Sequence, residues 1–464
     1  MQSSIKNKNS NKTINESFIR LALVIVLILV QGFLFLNTWI YNYNHFLRFP
    51  YVMKGNIFLM LMYMGLSYIF MILFDCNTLS EYRPATLIFS EILSITACNI
   101  LVYFVIIIPA AAIGLMPIRP IFVLTLIDIV VIIIWALLVH NILKKFLPPK
   151  ELLCISSKKN LDDIIFKLLK REDIFVVKDQ VEYNEDNLKT IYDKCNSYDD
   201  ILIGDITSEA RNDIIKHCFN NSRNIYVIPK ISDILLKYSD DLLYFDTPLF
   251  LSSNFGLSLE LKIVKRTLDI IFSLFVIICF LPIWIIIALI IKLEDGGPIF
   301  FCQERVTINK KLFNIIKFRS MKVSKDDKII PTSDSDDRIT KIGKFIRKFH
   351  IDEVPQFINV LIGDMSVVGP RPERKEHVEL YTKEIVEFDY RYKVKAGLTG
   401  LAQIYGKYNT TAIDKLKLDL VYIKKCSFMF DLELIMRTLK VLVISDNTEG
   451  FDKKTQEYIM NNAK

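Results

Sequence analysis

Two neighbouring carboxylates, Asp352 and Glu353, stand in the stretch Phe349-His350-Ile351-Asp352-Glu353-Val354-Pro355-Gln356. Proline is tolerated in the first turn of a helix, so Pro355 places both acids at a helix start, where carboxylates also stabilise the dipole with no chemistry implied. Successive helical residues point about 100° apart. One carboxylate could therefore attack an electrophile while the other holds a hard cation, a division of labour that suits phosphoryl transfer.

Three phosphate-compatible clusters lie around that pair: Gln303-Glu304-Arg305, Lys317-Phe318-Arg319-Ser320-Met321 and Pro370-Arg371-Pro372-Glu373-Arg374. Arginine forks match phosphate oxygens two at a time, and prolines on both sides of Arg371 hold its backbone extended. A single arginine is most simply a solvated surface charge. Three clusters within about 70 residues point instead to an anionic substrate. Gly397-Leu398-Thr399-Gly400, followed by Gln403 and Gly406, offers close backbone approach with amide and hydroxyl groups able to read a base or a sugar. Asp334-Ser335-Asp336 mimics the Asp-x-Asp metal motif of nucleotide-sugar enzymes, but it sits in a polar run, 323–337, that reads as a solvated loop.

The elements that must position these residues are partly solvated by lipid. Of 464 residues 52% are apolar, which disfavours both an ordinary soluble enzyme and a disordered chain. The 58 Lys and Arg exceed the 51 Asp and Glu by 7, too few for a dedicated nucleic-acid binder but suited to anionic headgroups. Apolar runs at 21–40, 57–74, 87–108 and 121–139 each approach the roughly 20 helical residues that cross hydrocarbon. Lys6, Lys8, Lys12 and Arg20 precede the first run and Lys144, Lys145 and Lys150 follow the fourth, so the positive-inside rule puts both ends in the cytoplasm, with Arg48 and Lys54 outside. Glu91 and Asp128 fall inside apolar runs, either as functional groups or as carboxyls facing neighbouring helices. Eight cysteines without a Cys-x-x-Cys pair suggest neither a disulfide framework nor a zinc site, and read as reduced apolar filler.

Past Pro148 and Pro149 the composition turns soluble. Short apolar runs at 154–156, 174–177, 201–203 and 225–228 alternate with helical patterns at 161–169 and 210–218, a βαβ rhythm that predicts a small parallel sheet. Its first strand-to-helix turn, Cys154-Ile155-Ser156-Ser157-Lys158-Lys159, has no glycine to admit a pyrophosphate, so a regulatory or assembly role is expected rather than dinucleotide binding. A fifth apolar run of 22 residues, 270–291, is long enough to span at about 33 Å. Pro282 near its centre and basic residues on both flanks (Lys262, Lys265, Arg266; Lys292, Arg305, Lys310, Lys311) leave two readings open, a re-entrant helix and a kinked span.

The ordered series Lys265-Arg266-Thr267-Leu268-Asp269, Gly297-Pro298-Ile299-Phe300-Phe301, Gln303-Glu304-Arg305, Lys317-Phe318-Arg319-Ser320-Met321, Arg338-Ile339-Thr340-Lys341-Ile342-Gly343, Asp352-Glu353-Val354-Pro355-Gln356, Gly369-Pro370-Arg371-Pro372 and Gly397-Leu398-Thr399-Gly400 resembles the bacterial sugar transferase family, the monotopic polyprenyl-phosphate hexose-1-phosphate transferases. The resemblance covers about 262–445, and the four spans and α/β segment resemble that family's long form. It implies transfer of hexose 1-phosphate from a UDP-hexose to undecaprenyl phosphate with Mg2+, releasing UMP and initiating capsular or exopolysaccharide synthesis. It further implies that Asp352 is the nucleophile of a phosphosugar-enzyme intermediate and that Glu353, with Asp352, binds the metal. Lys317, Arg319, Arg371 and Arg305 would hold phosphates, and Gly397, Thr399, Gly400 and Gln403 would border the uridine. The family folds the apolar helix at its central proline, here Pro282, into a re-entrant hairpin. A covalent intermediate lets a soluble donor and a lipid acceptor use one carboxylate in turn.

The expected architecture is a membrane α-helical bundle (1–147), a soluble α/β Rossmann-like module (148–255) and a mainly α monotopic catalytic domain (262–464) with a re-entrant membrane helix at 268–292. It places the catalytic domain on the cytoplasmic face of a bacterial cytoplasmic membrane, residues 255 and 300 both inside. The bilayer is a partner, a homodimer is favoured through the bundle and module surfaces, and no nucleic acid is expected. Amphipathic segments at 416–422 and 432–442 rest either on the headgroup plane or in the core. Thr307 and Lys310 replace glycines usual in the family, with a left-handed residue expected at Asn309-Lys310. Ala396 and Asp337 stand where prolines are common. Two other readings compete. A membrane glycosyltransferase using Asp334 and Asp336 would release UDP rather than UMP. A scaffold or sensor would use its carboxylates only as helix caps. The sequence does not specify the hexose, glucose or galactose being the guess that the long form supports.

Overall fold

A computed structural model describes residues 2–47, 49–76, 84–110, 117–146, 148–157, 165, 168–169, 171–244, 246–252, 256–322, 338–406 and 410–443. The chain divides into two compact units, the first built on Met1–Pro229 and the second on Lys230–Gly450.

The four apolar runs become helices α1 (Gln2–Asn42), α2 (Met53–Leu73), α3 (Pro84–Ala110) and α4 (Arg119–Phe146). Each contains a segment long and apolar enough to cross a membrane. Their outward positions are apolar, among them Ile25 and Phe33 on α1, Leu61 and Ile69 on α2, and Val130, Ile134 and Leu138 on α4. Polar side chains turn inward. Tyr63 Oη donates to Asn99 Oδ1 (2.8 Å), Asn99 Nδ2 donates to Asp128 Oδ2 (3.1 Å), and Ser67 Oγ donates to Gln31 Oε1 (2.9 Å). Apolar surface faces outward and these side chains bond between helices, as hydrocarbon favours, although Glu91 Oε1 and Asp128 Oδ1 have no hydrogen bond among the described residues. Glu91 and Asp128 are both buried, so each faces its neighbours in the bundle.

The soluble part of this unit carries β1 (Lys150–Ser156), β2 (Phe175–Glu182), β3 (Asp200–Ile203) and β4 (Asn224–Val227) in one parallel sheet of order β2-β1-β3-β4. Helices α5 (Leu188–Ser197) and α6 (Ser208–Asn220) connect the strands, and Ile191, Cys195, Ile214 and Cys218 pack on Leu153, Ile155, Ile201 and Ile203. Most of the helical pattern at 161–169 lies outside the described residues. All eight cysteines are free, and five are buried.

The sheet ends at Val227, and the second compact unit runs from Lys230. Ile234 of helix α7 (Ile231–Lys237) accounts for this, because it packs with Val306, Phe388, Leu416 and Leu420. A hairpin of β5 (Asp240–Tyr244) and β6 (Thr247–Leu251) follows. Helix α8 (Leu259–Asp295) is capped by the Ser258 hydroxyl, carries Pro282 inside, and ends at left-handed Gly296. Its first turns are tied into the unit. Lys265 pairs with Asp431 (2.5 Å), Arg266 donates to the carbonyls of Val360 and Leu361 (both 2.7 Å), and Asp269 accepts from Val367 N (2.8 Å).

Antiparallel strands β7 (Phe300–Val306) and β8 (Leu312–Phe318) form a hairpin whose turn holds Asn309 and Lys310 at φ 53° and 61°, the left-handed geometry expected there. Thr307, in place of a glycine, is buried, donates to Asp364 O (2.9 Å) and accepts from Ala396 N (3.1 Å). Next come α9 (Lys341–Lys348), a 3₁₀ turn (Ile351–Glu353), α10 (Gln356–Ile362), β9 (Ser366–Val368), α11 (Lys375–Glu384), β10 (Gly397–Thr399), α12 (Leu401–Tyr405), α13 (Ala412–Lys425) and α14 (Phe428–Val443). Strands β9 and β10 pair in parallel. The segment at 416–422 is drawn inward, with Leu416, Leu420 and Tyr422 fully buried, whereas 432–442 buries Leu434 and leaves Leu439 and Leu442 exposed.

Candidate active site

The acidic pair sits on the 3₁₀ turn just ahead of α10, entered through His350 at φ 53° and followed by Pro355 at the helix start. Asn359 fastens α10 to the β7–β8 hairpin, accepting from Ile316 N (3.0 Å) and donating to Asn314 O (2.8 Å). That clamp brings Lys317, the next residue of β8, against the turn. Lys317 Nζ contacts Glu353 Oε1 at 2.5 Å, and Arg371 Nη2 reaches the same oxygen at 3.4 Å.

The two carboxylates are thereby separated in character. Burial would raise Glu353, but the charges of Arg371 and Lys317 outweigh it and hold the carboxyl at about 2. Burial first, and the adjacent Glu353 charge second, push Asp352 upward. Asp352 is half-buried, and its carboxylate has no hydrogen bond or ion pair among the described residues. One acid is clamped and ionised, and the other is left free beside it.

Arg371 owes its place to Arg391, a residue without a motif in the sequence. Arg391 Nη2 donates to Arg371 O (2.9 Å) and pairs with Asp419 Oδ2 (2.8 Å), and its guanidinium lies 5.0 Å from the Phe388 ring. Arg391 and Asp419 are 2% and 1% exposed, so each is the other's counter-charge in a dry setting. Burial pushes Asp419 up to about 6 against the pull of Arg391. On the other side Arg305 donates to Pro372 O (3.2 Å) and to Gln303 Oε1 (2.7 Å). Burial, followed by the charges of Arg374 and Arg371, lowers Arg305 to about 10. Cations crowded this closely favour an anionic occupant.

These groups line an open, shallow pocket formed by Arg305, Ile315, Lys317, Glu353, Gln356, Arg371, Pro372, Gly397, Leu398 and Gln403. Sequence reasoning placed Arg305, Lys317, Glu353, Arg371, Gly397 and Gln403 in one site, and the fold brings those six together. Asp352, Arg319, Thr399 and Gly400 are not in that lining, Asp352 standing next to Glu353 on the same turn. Arg319 is buried against Gly297, where any Cβ would collide with its guanidinium. Thr399 is buried and bonds Thr438 (2.6 Å). Gly397 and Gly400 both lie against the Gly369 backbone, which leaves no room for a side chain between the two loops. Asp334, Asp336 and Asp337 lie outside the described residues. Gln356, Arg391 and Asp419 were missed. Gln356 closes the motif Asp352-Glu353-Val354-Pro355-Gln356 one helical turn after Glu353, and that membership was the signal that could have marked this neutral residue.

Among the described residues no group of three or more His, Cys, Asp or Glu gathers as a metal cage. The acidic pair nevertheless suits a magnesium ion, which is held by one or two carboxylates and takes its other ligands from water and substrate phosphate. Lys317 and Arg371 both engage Oε1 of Glu353, so its second oxygen and the Asp352 carboxylate are the donors that remain.

The bacterial sugar transferase family model matches residues 260–445. The chain is 43% identical over 198 residues to a UDP-glucose:undecaprenyl-phosphate glucose-1-phosphate transferase of Klebsiella pneumoniae, a stretch covering 41% of this chain and 42% of that protein. It is 38% identical over 189 residues to a transferase of the same description from Caulobacter vibrioides, covering 39% of this chain and 71% of that one. An uncharacterized sugar transferase of Bacillus subtilis, EpsL, is 36% identical over 197 residues, 42% of this chain and 95% of the relative. The chain therefore spans less than half the length of the Klebsiella relative, and the family-model match falls in the second unit.

Proposed function

Because this chain belongs to the bacterial sugar transferase family, we propose that it transfers a hexose 1-phosphate from a UDP-hexose to undecaprenyl phosphate at the cytoplasmic face of a bacterial membrane, initiating capsular or exopolysaccharide synthesis. The observation that carries this reading is the contrast within the acidic pair, a clamped Glu353 beside an unengaged Asp352.

In the first step an Asp352 carboxylate oxygen attacks the phosphorus that bears the sugar. The bond from that phosphorus to the bridging oxygen breaks, and UMP leaves with the electron pair. In the second step a phosphate oxygen of undecaprenyl phosphate attacks the same phosphorus, the aspartyl ester bond breaks, and the carboxylate is restored. Arg305, Lys317 and Arg371 face the donor's phosphates, and Gln403 with Gly397 borders the nucleoside end. Glu353 and Asp352 would hold a magnesium ion, which supplies charge neutralisation at the phosphate oxygens when bound. Lys317 and Arg371 keep Glu353 ionised for that role at any pH above about 2.

Several features support a one-sided membrane attachment. Near its start α8 is held by Arg266, and near its end Ile287 and Ile291 pack with Phe318 and Ile346 of the same unit. Its other face, including Ile271, Phe275, Ile278, Ile285 and Leu289, is apolar and open. A helix held along its length by one polar body while offering lipid an apolar face fits entry and return at Pro282 better than a crossing. The parallel sheet of the first unit, with no glycine in its first turn, suits a regulatory or assembly role.

Incubation with a panel of radiolabelled UDP-hexoses and undecaprenyl phosphate tests the proposal. Lipid-linked sugar diphosphate with UMP is the expected result, and UDP release would establish plain glycosyl transfer instead. Cysteine labelling that finds position 300 on the outer face would remove the re-entrant helix.

A further inference from the structure

The donors around the pocket are unevenly spent. Lys317 and Arg371 direct their charges at Glu353, and the terminal nitrogens of Arg305 are taken by Pro372 O and Gln303. Two buried donors of the lining have no hydrogen bond among the described residues, Nε of Arg305 and Nε2 of Gln356. Gln356 is the sharper case. It is 3% exposed and lines the pocket, yet its amide nitrogen meets no acceptor among the described residues. Gln356 also opens α10, the helix Asn359 fastens to β8, so its backbone is fixed and it gains little by moving to find a partner. A buried, unsatisfied amide is costly to the free protein, and such a group persists where a ligand completes it.

We propose that Gln356 is a substrate-binding residue, its Nε2 donating a hydrogen bond to a diphosphate oxygen of the bound UDP-sugar. The ligand must bring an acceptor, and the cations on the same wall select an anionic one. A neutral amide adds a donor there without adding charge, so the Lys317 and Arg371 pairs with Glu353 are left undisturbed. This inference rests on the sugar-phosphate transfer reading and adds to it a residue that acts on the donor substrate alone.

The test compares wild type with Gln356→Met and the isosteric Gln356→Glu in the full chain in nanodiscs. The readouts are kcat/KM for UDP-glucose and UDP-galactose and Tm with and without each nucleotide sugar. The hydrogen bond to a charged oxygen makes the expected loss in kcat/KM about ten- to a hundredfold for Gln356→Met, and larger for Gln356→Glu, which sets a carboxylate against phosphate. Without ligand, Gln356→Met removes an unsatisfied donor, so its Tm should equal or exceed that of wild type, while the Tm rise on adding UDP-sugar should shrink. A packing residue would behave in the opposite way. Tm falling without ligand, with activity tracking the folded fraction in both variants, overturns the proposal, as does kcat/KM within about twofold of wild type. Wild type that makes no lipid-linked sugar phosphate sinks the transfer reading instead. The UDP-sugar-dependent Tm of the variants would then still decide the fate of Gln356.

Discussion

In the four-helix bundle Tyr63 answers Asn99, Asn99 answers Asp128, and Ser67 answers Gln31, each across two helices, and the oxygens left without a hydrogen bond there, Glu91 Oε1 and Asp128 Oδ1, are each one of two on a carboxyl. Around the pocket of the second unit the side chains that matter most stand otherwise. Asp352 has no partner among the described residues, and the Gln356 amide and Arg305 Nε are unsatisfied. A polar group that holds helices together spends at least one hydrogen bond on the protein, as Asp128 does through Oδ2. One that acts on a substrate must keep them unspent, and the surrounding fold bears the cost. The Arg391–Asp419 pair stands behind Arg371 as a buried ion pair, and it too leaves Nε and Nη1 of Arg391 without a hydrogen bond among the described residues.

The contrast can be broken most severely at Asp352. Asp352→Asn should lower turnover at least about 1000-fold, and intact-mass analysis under single-turnover conditions should find no adduct of protein with sugar phosphate. Product accumulating at an unaltered rate would return this acid to the role of a helix cap. Next in size is Arg391. Replacement by Met leaves Asp419 buried without its counter-charge and should cost about 3–5 kcal/mol in denaturant unfolding, with Arg391→Lys intermediate. An unchanged midpoint would show that the pair carries no structural load.

The pH dependence sharpens the same contrast. Glu353 sits at about 2 in the folded chain against an ordinary 4.5, so its ion pairs contribute stability that is fully present above 4.5 and is lost as pH falls through about 2. Glu353→Gln should therefore flatten the stability profile in that acid window by up to about 3 kcal/mol. Asp419 runs the other way. Raised from 3.8 to about 6, it binds its proton more readily when folded, so its contribution weakens as pH climbs from 3.8 through about 6. The smallest effect belongs to the bundle. Asp128→Asn should cost less than about 1 kcal/mol and leave turnover within about twofold of wild type, because Asp128 meets another side chain of the bundle. A large loss of turnover would make that carboxyl functional.

Much of the site was legible because charge and spacing are local. The acidic pair before Pro355 and the cations at 305, 317 and 371 could be singled out without a fold, and all but Asp352 appear in the pocket lining. Arg319 belonged to an equally suggestive cluster, yet it faces Gly297. Lys317 and Arg319 share one motif, but the strand ends between them, at Phe318, and only the packing that follows decides which cation meets the acids. Thr399 failed for a similar reason, its hydroxyl being used by Thr438 on α14, far along the chain. The amphipathic stretch at 416–422 suited a membrane surface or a core equally well until Val306, Phe388 and Ile234 were found against it.

The amino-acid order by itself determined the apolar helices, the βαβ rhythm, the left-handed turn at Asn309-Lys310 and the chemistry available at Asp352 and Glu353, since hydropathy, backbone preference and side-chain type act over a few residues. Tertiary structure alone decided that Glu353 is clamped while Asp352 is free, that Arg391 braces Arg371, and that the Gln356 amide goes unanswered. Those outcomes turn on which groups separated by tens of residues arrive within hydrogen-bonding distance, and burial then magnifies every pairing made or missed.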